Sequence, residues 1–254
     1  MKFIKIEDFQ NDSKIKVLTL NRPDMKNAFH PEMIQEISEY FENVNKHEDD
    51  LKLIVLKGEG TVFCAGADLN WMKYMVNFTK EENLSDSKKL WAMFDFIRSC
   101  NVPVVGLAHG AVFGGALGLL ACCDYVFAEK NTQFCFSEVK LGLSPAVISD
   151  FITRKIPDSF IRPLMLSAEV FKTEQALRVG IIHNIFEGEA DLQTLLKGFS
   201  ANGTEAMSQT KNLLNQLLEN KNPDDRRDMC AHVITDRRMS AEGQERLKKF
   251  LTKQ

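Results

Sequence analysis

The sequence lacks the features that would identify a metal-binding, secreted or nucleic-acid-binding chain. None of its six cysteines forms a Cys-x-x-Cys pair, and its five histidines are not spaced like zinc ligands. Neither positive nor negative charge is in large excess: the chain has 32 lysines and arginines and 35 acidic residues, which gives a net charge of −3. Without a global cationic field, we expect neither nucleic acid nor an anionic membrane as a partner.

We also expect no signal peptide at the beginning of the sequence. Residues 1–7 alternate polar and apolar side chains like a β-strand and contain no continuous apolar stretch. Most of the cysteines lie in apolar runs, where a free thiol behaves as a small buried hydrophobe. We therefore expect a cytoplasmic protein whose cysteines stay reduced.

The composition is that of a globular protein. Of 254 residues, 44% are hydrophobic and 26% are charged, which excludes a disordered, collagenous or coiled-coil chain. This length is typical of one large domain, or of a main domain with a smaller appendage. A chain of this size buries enough surface to form a core without disulfide bonds.

One apolar stretch, residues 102–123, is long enough to cross a bilayer, and His109 is its only polar side chain. Glycines recur in it at every fourth residue, at positions 106, 110, 114 and 118. However, Pro103 opens the stretch, and glycine is too dense for one uninterrupted helix. The pattern instead predicts a buried strand at Val104–Ala108, a glycine turn and a buried helix at Gly115–Cys122.

Strands and helices are predicted to alternate up to about residue 187, after which only helices follow. Strands are predicted at Lys14–Leu20, Leu51–Leu56, Val104–Ala108, Asp124–Ala128, Gln133–Phe136 and Ile181–Phe186. Helices are predicted at Pro31–His47, Asp68–Met75, Glu81–Cys100, Gly115–Cys122, Ala146–Lys155, Ser159–Leu166, Thr173–Arg178, Glu189–Phe199, Thr204–Glu219, Pro223–Arg238 and Ala241–Lys253. The order predicts an α/β core over residues 1–187 and a helical C-terminal region over residues 188–254.

Two segments join a predicted strand to a helix through small residues. The first is residues 63–69, where the amides near Ala67 lie at a helix N-terminus that favours negative charge. Asp68 in this segment is equally explained as a helix N-cap. The second is residues 109–118, whose glycines do not have the Gly-x-Gly-x-x-Gly spacing of a dinucleotide loop. Together, two such helix starts could hold one developing oxyanion.

Glu138 is the third candidate for chemistry. It follows the apolar residues 134–136 and precedes the Leu141-Gly142-Leu143 loop. A carboxyl among apolar neighbours is difficult to ionise, so its pKa is expected to rise toward a range useful for proton transfer. The alternative is an exposed glutamate at the start of a helix.

These three segments, in this order, resemble the crotonase superfamily of enoyl-CoA hydratases and isomerases. The resemblance spans about residues 14–187 and rests on these matches: Asn21-Arg22-Pro23, Asn27-Ala28, Ala65-Gly66-Ala67-Asp68-Leu69, Gly110 through Gly118, Cys123-Asp124, Phe134, Glu138, Leu141-Gly142 and Pro145. It implies a spiral of ββα units forming two sheets, with a helical C-terminal trimerisation region. It further implies homotrimers, or hexamers built as dimers of trimers.

The resemblance also implies an acyl-CoA substrate and no metal or redox cofactor. The thioester oxygen would lie between the amides of Ala67 and Gly115, and Glu138 would transfer the proton. CoA would be held by the segment Met25, Lys26 and Ala28. The remaining residues expected to line the substrate site are Ala65, Gly66, Asp68, Leu69, Gly114 and Gly118.

One position departs from the family pattern. Typical hydratases of the superfamily use two glutamates, and this chain has Gly118 where the first is expected, keeping only Glu138. Single-glutamate members include double-bond isomerases. Other motifs, such as Ser240-Ala241-Glu242-Gly243, resemble the branch that hydrates 3-methylglutaconyl-CoA in leucine breakdown. Hydration is therefore the leading hypothesis, with Δ3,Δ2-enoyl-CoA isomerisation and non-catalytic acyl-CoA binding as the alternatives.

Overall fold

The computed structural model describes residues 1–47 and 50–252. Its strands are β1 (Ile4–Phe9), β2 (Asp12–Leu20), β3 (Leu53–Gly58), β4 (Val104–Ala108), β5 (Ala111–Phe113), β6 (Tyr125–Glu129), β7 (Gln133–Cys135), β8 (Phe171–Lys172) and β9 (Asn184–Phe186). Its helices are α1 (Pro31–His47), α2 (Leu69–Met75), α3 (Lys80–Arg98), α4 (Ala116–Cys122), α5 (Ala146–Lys155), α6 (Asp158–Ser167), α7 (Thr173–Val179), α8 (Glu189–Ser200), α9 (Thr204–Glu219), α10 (Pro223–Met239) and α11 (Ala241–Leu251).

The strands form two sheets. The larger has the order β1-β2-β3-β4-β6-β9, in which β1 pairs antiparallel with β2 and the other neighbours are parallel. The smaller has the order β5-β7-β8. Parallel neighbours need long crossover connections, and helices or the small sheet occupy them. This α/β architecture of ββα units with C-terminal helices confirms the fold class expected from the sequence.

Both faces of the larger sheet are covered. Because successive side chains of a strand point to opposite faces, Ile54 and Leu56 of β3 pack with α1, α3 and α4, while Leu53 and Val55 lie in a second cluster. Leu196 of α8 belongs to that second cluster, so α8 covers the other face. Burial on both sides explains why the central strands read as continuous apolar runs rather than as alternating ones.

Several predicted elements agree with the structure to the residue, among them α1, β4, α5 and α9. Two strands were not predicted: β5 lies inside the expected glycine turn, and β8 has only two residues. The predicted strand Ile181–Phe186 is too long, because Ile181 and Ile182 are buried in the core and only β9 pairs with β6. Lys253, the predicted end of the last helix, lies outside the described residues.

The stretch from residue 102 to 123 forms β4, β5 and α4, as a buried segment of the core. Among the helices that the structure describes, none is both long and apolar enough to cross a membrane. The strands end at Phe186 and α8 begins at Glu189, close to the predicted division at residue 187. Whether the two parts are separate domains remains a prediction.

Candidate active site

The first loop, Ala65 to Asp68, is joined to the chain at Phe29 by a short parallel β-bridge. The amide of Phe29 donates to the carbonyl of Gly66 at 2.7 Å, and the amide of Asp68 donates to the carbonyl of Phe29 at 2.9 Å. Ala67 lies between these two bonded residues, and in a parallel bridge the residue in that position directs its own N–H to the opposite side. Within residues 1–47 and 50–252, the Ala67 amide donates to no protein acceptor.

The second loop leaves β5 and enters α4 at Gly115. It is held by the amide of Gly114, which donates to the carbonyl of Cys135 at 2.8 Å. Gly114 has φ +53°, a left-handed conformation that favours glycine. The amide of Gly115 likewise has no protein acceptor among the described residues, as expected for the start of a helix.

The two loops touch. A Cβ atom on Gly66, which has φ +95°, would lie 2.8 Å from the carbonyl oxygen of Phe113 and 3.8 Å from the Cα of Gly114. Only glycine allows this approach, because any side chain would collide with backbone. The unpaired amides of Ala67 and Gly115 each follow directly after a glycine of this contact. The structure therefore brings together the two helix starts that the sequence indicated.

Glu138 lies at the same place. It begins a short 3-10 helix, Glu138–Leu141, and a Cβ atom on Gly114 would lie 3.2 Å from its Oε1. Its Oε2 is buried and has no hydrogen-bond partner in the part of the chain that the structure describes. Burial raises the pKa of the Glu138 carboxyl above its ordinary value, as the sequence predicted, although a bond from its own amide opposes the shift. A carboxyl of this kind can both release and accept a proton.

Gly118 faces a different environment from Gly114. A Cβ atom on Gly118 would lie 2.7 Å from Cγ2 of Ile148 and 2.7 Å from Cζ of Phe94. The place of a side chain at this position is thus filled by apolar atoms from α5 and α3. No signal in the sequence identified Phe94 and Ile148 as neighbours of Gly118, because they are brought there by helix packing.

The segment expected to bind CoA lies next to the first loop. The amide of Ala65 donates to the carbonyl of Lys26 at 3.0 Å. Met25 and Lys26 are exposed, whereas Ala28 is buried and its carbonyl accepts a hydrogen bond from Arg22. Of the remaining first-loop candidates, Leu69 is largely exposed and Asp68 is buried.

The alternative role considered for Asp68 is confirmed: it is the N-cap of α2. Its Oδ1 accepts from the amides of Asn70 and Trp71, and its Oδ2 accepts from Arg22 at 2.7 Å. Burial alone would raise the pKa of Asp68, but the hydrogen bonds from Arg22, Asn70 and Trp71 lower it overall. The sequence assigned no role to Arg22 beyond its place in a motif.

A cavity of about 650 Å³ lies between α1, α2 and α3, and Trp71 and Phe78 contribute to its lining. None of the candidate site residues lines it. Across the described ranges, no group of three or more His, Cys, Asp or Glu side chains is arranged to hold a metal ion.

Touching glycine loops, two unpaired amides and one buried carboxyl define a site suited to an oxyanion whose neighbouring carbon gains or loses a proton. Residues 10–254 match the enoyl-CoA hydratase/isomerase family, and the chain belongs to that family.

Individual relatives agree with this assignment. The chain is similar to an enoyl-CoA hydratase of Alternaria alternata, with 30% identity over 75% of this chain and 61% of that protein. It is also 29% identical to a trans-2-decenoyl-[acyl-carrier-protein] isomerase of Streptococcus mutans, over 70% of this chain and 68% of that protein. The match thus spans about 61% of the first curated relatives.

Among solved structures, an enoyl-CoA hydratase from Shewanella pealeana superposes with a TM-score of 0.91 at 35% identity. The superposition covers 99% of this chain and 94% of that chain.

Proposed function

We propose that this protein is a hydratase that adds water across the double bond of a 2-enoyl-CoA thioester. The observation that carries the proposal is the contact of the Gly66 and Gly114 loops beside Glu138, with the adjacent amides of Ala67 and Gly115 unpaired. Both amides donate to the thioester oxygen, and the carboxyl acts on the carbons next to that carbonyl.

The chemistry needs stabilisation of an enolate. As the water oxygen bonds to C3, the electrons of the double bond move onto the thioester oxygen, where the two amides oppose the developing charge. Removing one donor from the oxyanion hole of a well-studied protease raises the barrier by about 2.7–4 kcal/mol. Fixed backbone amides are suited to this task because they need no reorganisation as the charge forms.

Glu138 transfers the proton. As a carboxylate it takes a proton from the attacking water, and the same carboxyl then returns a proton to C2, so that atoms and charge balance. Its buried, unpaired Oε2 supports this role, because no group in the described part of the chain forms a hydrogen bond with it. The raised pKa keeps the protonated form accessible closer to neutral pH than that of an ordinary glutamate.

For the acyl group, we propose 3-methylglutaconyl-CoA, an intermediate of leucine breakdown. The support is the resemblance of motifs around Gly66–Met72, Phe113–Leu119, Pro145–Ser149 and Ser240–Glu245 to that branch. Met25, Lys26 and Ala28 would hold CoA, with Ala65, Gly66, Asp68, Leu69, Gly114 and Gly118 forming the rest of the substrate site. We expect no metal or redox cofactor, as the family resemblance implies.

A second candidate function is Δ3,Δ2-enoyl-CoA isomerisation. The observation in its favour is that Phe94 and Ile148 fill the space beside Gly118, where a second carboxyl would otherwise help to hold water. A single glutamate is sufficient to move a proton from C2 to C4 through the same enolate. A family member that binds acyl-CoA without turnover is the third possibility.

We further propose a homotrimer, or a hexamer of two trimers, while the cytoplasmic location expected from the sequence stays a prediction. The support is the apolar surface of the last three helices, where these side chains are exposed: Leu214, Leu218, Ile234, Met239, Leu247, Phe250 and Leu251. Contact with other copies of the chain would remove this apolar surface from water. Light scattering on the purified protein measures the assembly directly.

The functional test is a substrate panel of 3-methylglutaconyl, crotonyl and 3-enoyl CoA thioesters. Hydration removes the ultraviolet band of the conjugated thioester, isomerisation of a 3-enoyl thioester creates it, and chromatography identifies each product. Glu138→Gln is expected to abolish turnover while CoA thioesters still bind, and Glu7→Gln on the exposed side of β1 is the control. Turnover that survives Glu138→Gln would show that the acid/base group is wrongly assigned.

A further inference from the structure

Arg22 and Asp68 form a buried ion pair beside the first loop. The Nη2 of Arg22 lies 2.7 Å from Oδ2 of Asp68, and the two side chains are only 13% and 3% exposed. The Nη1 of the same guanidinium donates to the carbonyl of Ala28 at 2.7 Å. The guanidinium also lies over the ring of Phe3, 5.5 Å from its centroid. Arg22 thus contacts three separate stretches of the chain.

These contacts close a ring around the Ala67 amide. Arg22 bonds to Ala28 and to Asp68, and Phe29, which follows Ala28, is bonded to Gly66 and Asp68 on both sides of Ala67. The backbone on both sides of Ala67 is therefore held by Phe29, and Arg22 holds the side chain of the next residue, Asp68. Hydrogen bonds weaken steeply with angle, so an oxyanion donor depends on such constraints.

The Arg22–Asp68 pair is not required to hold the segment around Lys26 against the segment that leads into the first loop. The amide of Ala65 bonds to Lys26, and the side-chain amide of Asn27 donates to the carbonyls of Glu59 at 2.8 Å and Val62 at 2.9 Å. These bonds join the same two segments without Arg22. Phe29 already holds the backbone of Asp68, the residue directly after Ala67, and Arg22 adds a contact to its side chain.

We propose that Arg22, acting through Asp68, is a positioning residue that directs the Ala67 amide at the thioester oxygen. The proposal rests on the proposed function, since it assigns a supporting pair to the same oxyanion hole. In this role both side chains act on the backbone of the first loop and need no contact with the substrate. Their effect is expected on the transition state, where the oxygen carries most charge, and hardly on CoA binding.

The test compares Arg22→Met, Asp68→Ser and the double variant with the wild-type protein. Serine retains an N-cap for α2 while removing the partner of Arg22. Each single variant leaves one buried charge without its partner, which destabilises the protein. The double variant removes both charges, so its activity reports the loss of positioning without that destabilisation. The control removes the exposed Arg162–Asp158 pair of α6 with the same substitutions, Arg162→Met and Asp158→Ser.

We expect kcat to fall about 10- to 100-fold in the Arg22 and Asp68 variants, because small misplacements of a catalytic group have effects of this order. KM is expected to change less than about threefold, as an interaction made only in the transition state requires. The two single effects are expected to be non-additive, since each removes the same pair. The α6 variants are expected to match the wild type.

A spectroscopic readout separates positioning from loss of stability. A 4-dimethylaminocinnamoyl-CoA thioester absorbs at longer wavelength when its carbonyl oxygen accepts strong hydrogen bonds. Bound to the wild-type protein it is expected to shift to the red, and the double variant is expected to lose at least half of that shift. Arg22→Lys, which keeps the charge but not the two-pronged geometry, is expected to give an intermediate shift even if the double variant folds poorly.

Two negative results have different meanings. A full red shift and unchanged kcat in folded Arg22 variants, with only the melting temperature lowered, would overturn the positioning role and leave the proposed function intact. If the wild-type protein binds the chromophore without any shift and turns over no enoyl thioester, the oxyanion hole itself is wrongly assigned and the proposed function fails first.

Discussion

A Cβ atom on Gly118 would lie 2.7 Å from Cζ of Phe94, closer than nonbonded carbon atoms approach. The ring of Phe94 packs edge-on against Phe29, whose Cε2 is in turn 3.0 Å from where a Cβ of Gly115 would be. Apolar aromatic packing thus extends beneath the second loop to the position where other family members are expected to have a carboxyl. The surrounding core therefore fills the space that a side chain at Gly118 would occupy.

The first prediction concerns Gly118. Replacing it with alanine is expected to destabilise the protein by about 1–3 kcal/mol, because overpacking a well-filled core forces neighbouring side chains to move. Denaturant unfolding measures the change. The control is Gly198→Ala in α8, where a Cβ atom meets nothing within 4 Å. That variant is expected to gain about 0.5–1 kcal/mol from helix propensity. Equal stability of the two variants would contradict the packing at Gly118.

The second prediction concerns the charge of Glu138. Since burial raises its pKa, the folded protein holds this proton more tightly than the unfolded chain does. The stabilising effect is therefore present at pH values below the ordinary glutamate range and is lost as pH rises through the raised pKa. Glu138→Gln, which never ionises, is expected to be at least as stable as the wild type at pH 8.

Unfolding free energies of the two proteins between pH 4 and 8 check this point. The difference between wild type and Glu138→Gln is expected to shift in favour of the variant as pH rises, and every other titrating group cancels in that difference. A difference that is constant with pH would show that Glu138 titrates normally.

The third prediction concerns Lys211, which attaches α9 to the core. Its Nζ lies 2.7 Å from Oδ2 of Asp124 and donates to the carbonyl of Val102 at 3.1 Å, and its side chain is 5% exposed. Lys211→Met is expected to destabilise the protein by about 2–3 kcal/mol, below the range for a fully buried pair because Asp124 is partly exposed. Thermal and denaturant unfolding measure the loss.

The matched control for Lys211 is Lys46→Met, which breaks the exposed pair with Glu42 in α1. Surface pairs one helical turn apart contribute about 0.5 kcal/mol or less, so little change is expected. If both lysine variants lose the same stability, burial does not distinguish the two pairs.

The fourth prediction concerns Lys26. This residue is exposed, has a left-handed conformation with φ 52°, and is bonded to the first loop through its carbonyl. If it contacts the phosphates of CoA, Lys26→Met raises KM about 3- to 10-fold with kcat unchanged, the signature of uniform binding. A pantetheine thioester, which lacks the nucleotide, is expected to show no such effect. An equal change with both thioesters would remove Lys26 from the nucleotide site.

Local sequence patterns were sufficient to predict most of the helices and strands. Helix α1 follows from a proline at its start and apolar residues on one face. Strand β4 follows from an apolar run that ends before His109-Gly110. Strands β5 and β8 were not predicted, because their formation depends on distant residues and not on a local pattern. Each is two or three residues long and exists only because it pairs with β7, a partner more than 15 residues away in sequence.

The candidate site divides in the same way. Sequence by itself determined that small residues precede two helix starts and that a glutamate follows an apolar strand, because steric permissiveness and apolar surroundings are local properties. Only the tertiary structure decided that Gly66 touches Gly114, that Glu138 reaches that contact, that Arg22 meets Asp68, and that Phe94 fills the space at Gly118. Those relationships depend on the packing of segments far apart in the chain, which no local pattern encodes.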